Sequence, residues 1–165
     1  MKFDPSIVQS HCPSPLGRMI LAATNQGLAG LWFEGQKHLP ADTARWPLEH
    51  QHPVLLQTVA QLNDYFAGRR NTFDAVLDLR TGTPFQQSVW HALLAIPPGA
   101  TTSYSALSQA IGKPRAVRAV GAAIGRNPIS IVVPCHRVIG ANGTLTGYAG
   151  GLHRKTALLQ LEGVH

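Results

Sequence analysis

The sequence is poor in cysteine and in long hydrophobic segments. Only two cysteines, Cys12 and Cys135, occur among its 165 residues, which is too few for a disulfide-rich scaffold and favours a reducing environment. Apolar runs such as 131–133 are far too short to cross a bilayer. The first residues lack the basic and then apolar pattern of a secretory signal. These absences predict a cytoplasmic protein that does not associate with membranes.

Acidic side chains are scarce in the second half of the chain. Residues 1–80 carry seven basic and seven acidic side chains, whereas residues 81–165 carry seven basic side chains and one acid, Glu162. The whole formal charge of +6 therefore lies in the second half. Such a concentration of positive charge is typical of a protein that binds a polyanion such as nucleic acid. The alternative is a net charge that serves solubility alone.

The first half has the pattern of a mixed α/β domain. Two extended segments around Asn25-Gln26-Gly27 predict a β-hairpin. Apolar residues at helical spacing predict a helix over 53–67, with Pro53 in its first turn and Gly68 after its end. Alternation of apolar and polar residues predicts a strand over 73–79.

A short polar segment containing glycine, 80–83, marks a boundary between two domains. With 44% hydrophobic residues, a chain of this length suffices for two small globular cores. We therefore predict an α/β domain over residues 1–80 and a mostly helical domain over residues 81–165.

The second half is predicted to be mostly helical. Thr83-Pro84-Phe85-Gln86 has the spacing of a capping box with proline at the first helical position. Two shorter helices, over 104–111 and from Pro114 to about 124, flank a tight glycine turn, which is the pattern of a helix-turn-helix. The remaining predicted elements are a strand over 130–133, a turn at Asn142-Gly143 and a helix over 152–161.

The helix predicted from Pro114 has an exposed face without acidic residues. Val117, Val120 and Ile124 fall at helical spacing and are predicted to face the core. The opposite face carries Arg115, Arg118, Ala119 and Ala122. Small side chains let a helix approach another surface closely, and arginine contacts phosphates or enters the duplex. We predict DNA contact through this face, although a solvated alanine-rich helix has the same composition.

Cys135 lies in the segment Pro134-Cys135-His136-Arg137, directly after the predicted apolar strand. The thiolate is the reactive form of cysteine, and a nearby histidine or cation lowers the thiol pKa. His136 and Arg137 supply that environment, so Cys135 is a candidate nucleophile. Adjacent side chains on an extended chain point in opposite directions, so His136 needs a turn or a bridging water to reach the sulfur. Taken alone, Cys135 also fits a buried structural thiol.

Glu162 lies near the C-terminal end of the last predicted helix, where a negative charge is unfavourable. We therefore expect a cationic partner for it. His136 would give a Cys–His–Glu arrangement with an orienting carboxylate. Arg137 or Arg154 would give a structural ion pair, and the spacing favours neither alternative. The paired-cysteine spacing of structural zinc sites does not occur, so we predict no bound metal.

Several motifs occur in a specific order along nearly the whole chain. The first is the ten-residue segment around the cysteine, Ile129-Ser130-Ile131-Val132-Val133-Pro134-Cys135-His136-Arg137-Val138. The others are Ser14-Pro15-Leu16-Gly17, Asp64-Tyr65-Phe66-Ala67-Gly68, Thr83-Pro84-Phe85-Gln86 with Val89-Trp90, Arg118-Ala119-Val120-Gly121, Asn127-Pro128, Gly147-Tyr148-Ala149-Gly150-Gly151 and Glu162-Gly163. In this combination the sequence resembles the O6-alkylguanine-DNA alkyltransferases, also called methylated-DNA–protein-cysteine methyltransferases.

The resemblance implies both a fold and a function. It implies a ribonuclease-H-like α/β first domain and a helical second domain whose helix-turn-helix binds the minor groove of double-stranded DNA. It implies DNA repair in which an alkylated guanine is flipped out and its O6-alkyl group is transferred directly and irreversibly to Cys135. The protein would then be a single-turnover S-methyltransferase without a cofactor. We expect a monomer, with cooperative binding to DNA and O4-alkylthymine as further candidate properties.

The resemblance also implies roles for individual residues near the cysteine. His136, through a water molecule, and Glu162 would relay the proton of the Cys135 thiol. Asn127 would brace the loop that carries the cysteine. Tyr104 would hydrogen-bond the base or help to rotate its phosphate.

Further roles implied by the resemblance concern the DNA and the base. Arg118 would fill the gap that the flipped base leaves in the stack. The base pocket would be lined by Tyr148 and by the backbones of Cys135, Val138 and Ala149, with Lys155 beside it. Two competing functions are a damage sensor in which Cys135 is inert and a regulator whose helix-turn-helix reads sequence in the major groove. Non-catalytic relatives have tryptophan at the cysteine position, so Cys135 argues against the sensor.

Overall fold

The computed structural model describes residues 2–164, which form two compact units. The first unit is the chain up to Thr81 together with Pro128–Ser130, and the second is Gly82–Asn127 with the chain from Ile131 onward. The sequence predicted a single boundary, after Arg80. The first unit is a mixed α/β structure and the second is mostly helical, which confirms the predicted fold class.

The elements are numbered in chain order. Within the described residues, the first unit contains strands β1 (Val8–Cys12), β2 (Met19–Thr24) and β3 (Gly27–Phe33), a short 3-10 helix (Ala41–Arg45) and helix α1 (Pro53–Phe66). The second unit contains α2 (Pro84–Leu93), β4 (Thr102–Ser103), α3 (Tyr104–Ala110), α4 (Val117–Gly125), a short 3-10 helix (Cys135–Arg137), β5 (Val138–Ile139) and α5 (Leu152–Leu161).

An antiparallel sheet with the strand order β1-β2-β3 lies in the first unit. β2 and β3 form the predicted hairpin, which closes where Thr24 pairs with Gly27. Every residue of these two strands is buried, so both faces of the hairpin contribute to the core. β1 was not predicted because Gln9 and Ser10 are polar. Both are buried, and the Gln9 amide donates to the carbonyl of Trp46 (2.7 Å).

Helix α1 confirms the predicted helix but turns a different face to the core. The predicted stripe is Leu55, Val59, Leu62 and Phe66. The buried residues are Leu55, Thr58, Leu62 and Tyr65. Thr58 is buried at low cost because its hydroxyl donates to the carbonyl of Val54 (2.8 Å). A polar residue therefore occupies a core position that the apolar pattern did not indicate.

Residues 73–79 do not form the predicted strand. They make a single bridge, between Leu77 and Leu28, with the Leu28 N–H donating to the carbonyl of Val76 (2.8 Å). Val76 is 69% exposed, so the alternation of residue types does not correspond to a buried face. Gly27 permits the close approach, because a Cβ there would lie 2.3 Å from the Val76 carbonyl oxygen.

The segment Pro128–Ser130 belongs to the first unit although it follows α4 in the sequence. Ile129 forms a parallel bridge with Leu31 of β3. The Leu31 N–H donates to the carbonyl of Pro128 (2.8 Å), and the Ser130 N–H donates to the carbonyl of Leu31 (2.9 Å). These two backbone bonds attach the segment to the sheet.

Helix α2 begins with the predicted capping box. The Thr83 hydroxyl accepts from the Gln86 N–H (3.1 Å), and the Gln86 side chain accepts from the Thr83 N–H (3.0 Å). Near the other end of the helix, the indole N–H of Trp90 donates to the carbonyl of Ala123 (2.8 Å). This bond fixes α4 against α2.

Helices α3 and α4 form the predicted helix-turn-helix, but α4 begins at Val117 and not at Pro114. Ser108 of α3 holds the preceding turn, because its hydroxyl donates to the carbonyl of Lys113 and its carbonyl accepts from the Lys113 N–H (2.9 Å). The prediction that Arg115 lies on the helix is therefore wrong. Arg115 lies in the turn that leads to it.

Residues 130–133 form a buried turn and not the predicted strand. Ile131 has a φ of 70°, a left-handed conformation that is unfavourable for a β-branched residue. Its side chain is 1% exposed, so the burial of its apolar surface offsets the backbone strain. The turn leads through Pro134 into the 3-10 helix that begins with Cys135.

A short parallel pairing, which was not predicted, joins two distant segments of the second unit. Thr102 of β4 pairs with Val138 of β5. β4 directly precedes Tyr104, and β5 directly follows the 3-10 helix Cys135–Arg137. The pairing therefore places the start of α3 beside the segment that carries the cysteine.

The remaining predictions for the second half are confirmed. Helix α5 spans Leu152–Leu161, and the Gly143 N–H donates to the carbonyl of Gly140 (2.9 Å) in the predicted turn. Within residues 2–164, every helix is too short or too polar to span a membrane.

Candidate active site

Cys135 is the first residue of its 3-10 helix, and only 6% of the residue is exposed. The side chains of Asn127 and Tyr148 lie close enough to it to lower the pKa of its thiol. The Asn127 amide also donates to the carbonyl of Val133 (2.8 Å). The same amide therefore contacts the cysteine and fixes the chain that leads to it.

Burial raises the pKa of the Cys135 thiol, which contradicts the lowering expected from the sequence. Burial is the largest cause because it disfavours the thiolate. The hydrogen bond with Asn127 and the positive charge of Lys155 act in the opposite direction but do not cancel it. At neutral pH the sulfur is therefore protonated, and a reaction at this sulfur needs a group that accepts the proton.

His136 is fully buried, and its Nε2 lies 2.9 Å from Oε2 of Glu162. Burial is the largest influence on His136 and lowers its pKa, although Glu162 opposes this. The imidazole is therefore neutral at pH 7 and donates its Nε2–H to the carboxylate. Its Nδ1 is buried and has no hydrogen-bond partner within residues 2–164. This nitrogen is a candidate acceptor for the thiol proton of the preceding residue.

Glu162 binds two of the three partners that the sequence offered, His136 and Arg137. Arg137 Nε donates to Oε1 (2.8 Å) and Arg137 Nη2 to Oε2 (2.9 Å), in a bidentate arrangement. Arg137 Nη1 donates to the carbonyl of Ile96 (2.6 Å). Arg154 donates instead to the carbonyl of Gly150 (3.0 Å). The guanidinium of Arg137 favours the ionised form of the buried carboxylate, which therefore accepts from the imidazole.

Lys155, predicted to line a base pocket, is fully buried. Its Nζ donates to three backbone carbonyls, those of Val138 (2.6 Å), Thr146 (3.1 Å) and Gly147 (3.5 Å). Burial lowers its pKa, and the neighbouring Cys135 opposes this. The ammonium group therefore clamps the loop that precedes Tyr148 and supplies positive charge near the sulfur.

The other residues predicted to line the pocket are Val138, Tyr148 and Ala149. Val138 is buried, and its carbonyl accepts from Lys155. Tyr148 and Ala149 are half-buried, and Tyr148 reaches Cys135 with its side chain. The structure thus brings Tyr148 to the sulfur and connects Val138 to it through Lys155.

The exposed face of α4 agrees in part with the prediction. Its exposed residues include Arg118, Ala119 and Ala122. Val120 and Ile124 are buried as predicted, whereas Val117 is only half-buried. Arg115 is exposed in the preceding turn. The face therefore consists of one arginine and two methyl groups on the helix, with a second arginine just before it.

Tyr104 contacts both α4 and the loop before Tyr148. Its ring lies against Gly121, where a Cβ would be 3.8 Å from Tyr104 Cδ1. Its phenol oxygen accepts a hydrogen bond from the Thr146 hydroxyl (2.9 Å). Thr146 was not among the predicted residues. The sequence gives no signal for it beyond its position two residues before Tyr148.

Comparison with known proteins finds matching family models along nearly the whole chain. The model described as 6-O-methylguanine DNA methyltransferase, ribonuclease-like domain, matches residues 7–79. The model described as 6-O-methylguanine DNA methyltransferase, DNA binding domain, matches residues 84–164. Each of the two units thus corresponds mainly to one of these models.

Similar proteins and structures are found in bacteria and archaea. The methylated-DNA–protein-cysteine methyltransferase of Mycobacterium tuberculosis is 52% identical over 149 residues, which cover 90% of this chain and 88% of the relative. That of Methanosarcina barkeri is 49% identical over 152 residues, 90% of this chain and 92% of the relative. The crystal structure of Mycobacterium tuberculosis OGT in complex with DNA has 50% identity and a TM-score of 0.83, covering 92% of this chain and 90% of that chain.

Replacing Arg137 by Met should strongly destabilise the protein. The variant leaves the buried carboxylate of Glu162 without its guanidinium, which costs about 3–5 kcal/mol of unfolding free energy. Urea denaturation measures the change. Arg69→Met is the matched control, because its ion pair with Asp64 is exposed and contributes less than about 1 kcal/mol. Equal losses in the two variants would contradict the role of the buried pair.

The raised pKa of Cys135 predicts a steep dependence of thiol reactivity on pH. In a Cys12→Ala background, modification of Cys135 by iodoacetamide should accelerate about tenfold per pH unit between about pH 6.5 and 8.5, because the thiolate fraction stays far from saturation. Mass spectrometry measures the rate, and N-acetylcysteine serves as the reference thiol. A plateau below about pH 8 would show that the protein lowers this pKa.

Proposed function

The chain belongs to the 6-O-methylguanine DNA methyltransferase family, and we propose that it repairs DNA by transferring the alkyl group of O6-alkylguanine irreversibly to its own Cys135. The enzyme class is methylated-DNA–protein-cysteine S-methyltransferase. The observation that carries the proposal is the environment of the sulfur. Asn127 and Tyr148 lie near it and lower the pKa of its thiol, and the next residue, His136, holds a buried ring nitrogen, Nδ1, without a hydrogen-bond partner within residues 2–164.

The reaction is a direct displacement at the alkyl carbon. The thiol proton of Cys135 passes to Nδ1 of His136, through a water molecule, and Glu162 stabilises the imidazolium that forms. The sulfur–carbon bond then forms as the carbon–O6 bond breaks, and the electron pair remains on the guanine. Asn127 keeps the cysteine loop in place. The phenol of Tyr104 donates a hydrogen bond to the guanine as negative charge develops on it.

The transfer occurs once per protein molecule. The product is a thioether, from which no group in this chain regenerates the thiol. The acceptor of the alkyl group is the protein itself, so the reaction needs no cofactor.

The proposed substrate is double-stranded DNA that contains an alkylated guanine. A protein-bound sulfur cannot reach O6 inside a stacked duplex, so the base must flip out, at a cost of a few kcal/mol. We propose that α4 binds the minor groove, where Ala119 and Ala122 permit close approach and Arg118 enters the stack in place of the base. Arg115 contacts phosphate. The related Mycobacterium tuberculosis OGT has been crystallised with DNA, which supports this proposal.

The flipped base is proposed to lie between Tyr148, Ala149 and the backbone near Val138. Lys155 takes a different role from the one expected, because its ammonium already binds three carbonyls. It supports the wall of the pocket and stabilises negative charge on the sulfur. O4-alkylthymine is a second candidate substrate. We further propose that the protein acts in the cytoplasm, is a monomer in solution and binds DNA cooperatively.

Incubation with duplex DNA containing O6-methylguanine should add the mass of one methylene to the peptide that contains Cys135. Mass spectrometry detects the change, with at most one methyl group per protein molecule. Cys135→Ala should show no gain, and Cys12→Ala should retain it. DNA binding without any mass gain would instead identify a damage sensor.

Arg118→Ala should separate duplex repair from the chemistry. The variant should react with free O6-benzylguanine at the wild-type rate. It should repair duplex DNA roughly 10- to 100-fold more slowly, because no arginine then fills the gap that the flipped base leaves in the stack. Arg126→Ala, which removes another exposed arginine at the end of α4, is the matched control and should affect repair far less. Equal losses with free base and duplex would show that Arg118 acts on folding.

A further inference from the structure

Thr146 connects three parts of the second unit that the proposed reaction uses. Its hydroxyl donates to the phenol oxygen of Tyr104 (2.9 Å). Its carbonyl accepts from Nζ of Lys155 (3.1 Å), whose charge acts on Cys135. Two residues further along the chain, Tyr148 lies near the same cysteine and lowers the pKa of its thiol.

The backbone of Thr146 is held in place by a buried charge. Lys155 is fully buried. Its ammonium donates to the carbonyls of Val138 and Thr146, which lie before and near the end of the loop that leads to Tyr148. A buried ammonium group without hydrogen-bond partners strongly destabilises the folded protein. The position of the Thr146 carbonyl is therefore strongly fixed. The fixed backbone keeps the Thr146 side chain within reach of Tyr104, to which its hydroxyl donates.

The ring of Tyr104 faces α4. An added Cβ at Gly121 would make only an ordinary van der Waals contact with this ring, so glycine leaves space beside it. A phenol oxygen carries one proton and accepts hydrogen bonds through its lone pairs. Because Thr146 donates to that oxygen, the proton of Tyr104 is left for another acceptor. Donation into the oxygen also polarises the O–H bond and makes it a stronger donor.

We propose that Thr146 is a positioning residue that directs and strengthens the Tyr104 O–H donor towards the departing guanine. The inference rests on the proposed function. As the carbon–O6 bond breaks, guanine receives the electron pair, and the Tyr104 O–H donates a hydrogen bond to the guanine ring without a transfer of the proton. Of the two roles implied for Tyr104, the contact with Thr146 favours hydrogen bonding to the base over rotation of the phosphate.

The test compares two variants of one residue in the full-length protein. Thr146→Val keeps the shape of the side chain but removes the hydroxyl, and Thr146→Ser restores it. With free O6-benzylguanine as the probe, Thr146→Val should react roughly 3- to 10-fold more slowly, the usual effect of one hydrogen bond, and Thr146→Ser should recover most of the rate. Thr144→Val, in the same loop but with its hydroxyl bonded to Asn142, should react like the wild type.

A second probe distinguishes positioning from damage to the loop. Iodoacetamide alkylates the same sulfur, but iodide leaves without help from a hydrogen-bond donor. Its rate with Cys135 should therefore be the same in Thr146→Val and in the wild type, in a Cys12→Ala background. A parallel loss with both probes would overturn the inference, because it would show that Thr146 acts on the loop or on the thiol.

A double-mutant cycle with Tyr104→Phe tests whether Thr146 acts through the phenol. The Thr146→Val effect on O6-benzylguanine should disappear in the Tyr104→Phe background, because no phenol oxygen remains to accept. A full effect in that background would overturn the inference. Absence of transfer to Cys135 in the wild type would overturn the proposed function as well, whereas normal transfer with equal rates in wild type and Thr146→Val would overturn the inference alone.

Discussion

The arrangement of the second unit depends on one buried carboxylate. The side chain of Glu162 is 1% exposed and accepts hydrogen bonds from both His136 and Arg137. A carboxylate in such a place is stable only if its oxygens are well bonded, so its partners cannot move independently. Those partners are the second and third residues of the 3-10 helix that begins with Cys135. Glu162 thereby fixes the cysteine relative to the end of α5.

The two residues that follow the cysteine, His136 and Arg137, have separate roles. Arg137 favours the ionised form of the carboxylate, and the carboxylate in turn fixes the imidazole of His136 with Nδ1 as its basic nitrogen. Neither residue lowers the pKa of the thiol, which burial keeps raised. A protonated sulfur reacts slowly with adventitious electrophiles and oxidants. Folding therefore protects this thiol from such side reactions.

The sequence correctly predicted those elements whose backbone conformation depends mainly on neighbouring residues. The β2–β3 hairpin, the capping box at Thr83 and helix α5 depend on turn residues, caps and periodicity. The strand over 73–79 was wrong because a distant contact with β3 decides the backbone there. The helix start at Pro114 was wrong because Ser108 holds Lys113 in the turn before α4. The residue types already pointed to Cys135, His136 and Glu162, and the resemblance added their roles, but spacing could not show that one carboxylate binds both His136 and Arg137. Nothing in the residue types indicated that Lys155 binds backbone carbonyls or that Thr146 meets Tyr104.

The left-handed conformation of Ile131 has a consequence for when the reactive cysteine forms. The sequence Ser130-Ile131-Val132-Val133 prefers an extended chain, and the burial of Ile131 together with the hydrogen bond from Asn127 to the Val133 carbonyl holds it in a turn. An isolated peptide of this segment would therefore be extended, with an ordinary cysteine after it. The buried, protonated thiol and its neighbouring imidazole exist only in the finished core, so during synthesis the newly made chain carries an exposed cysteine of ordinary reactivity until folding closes around it.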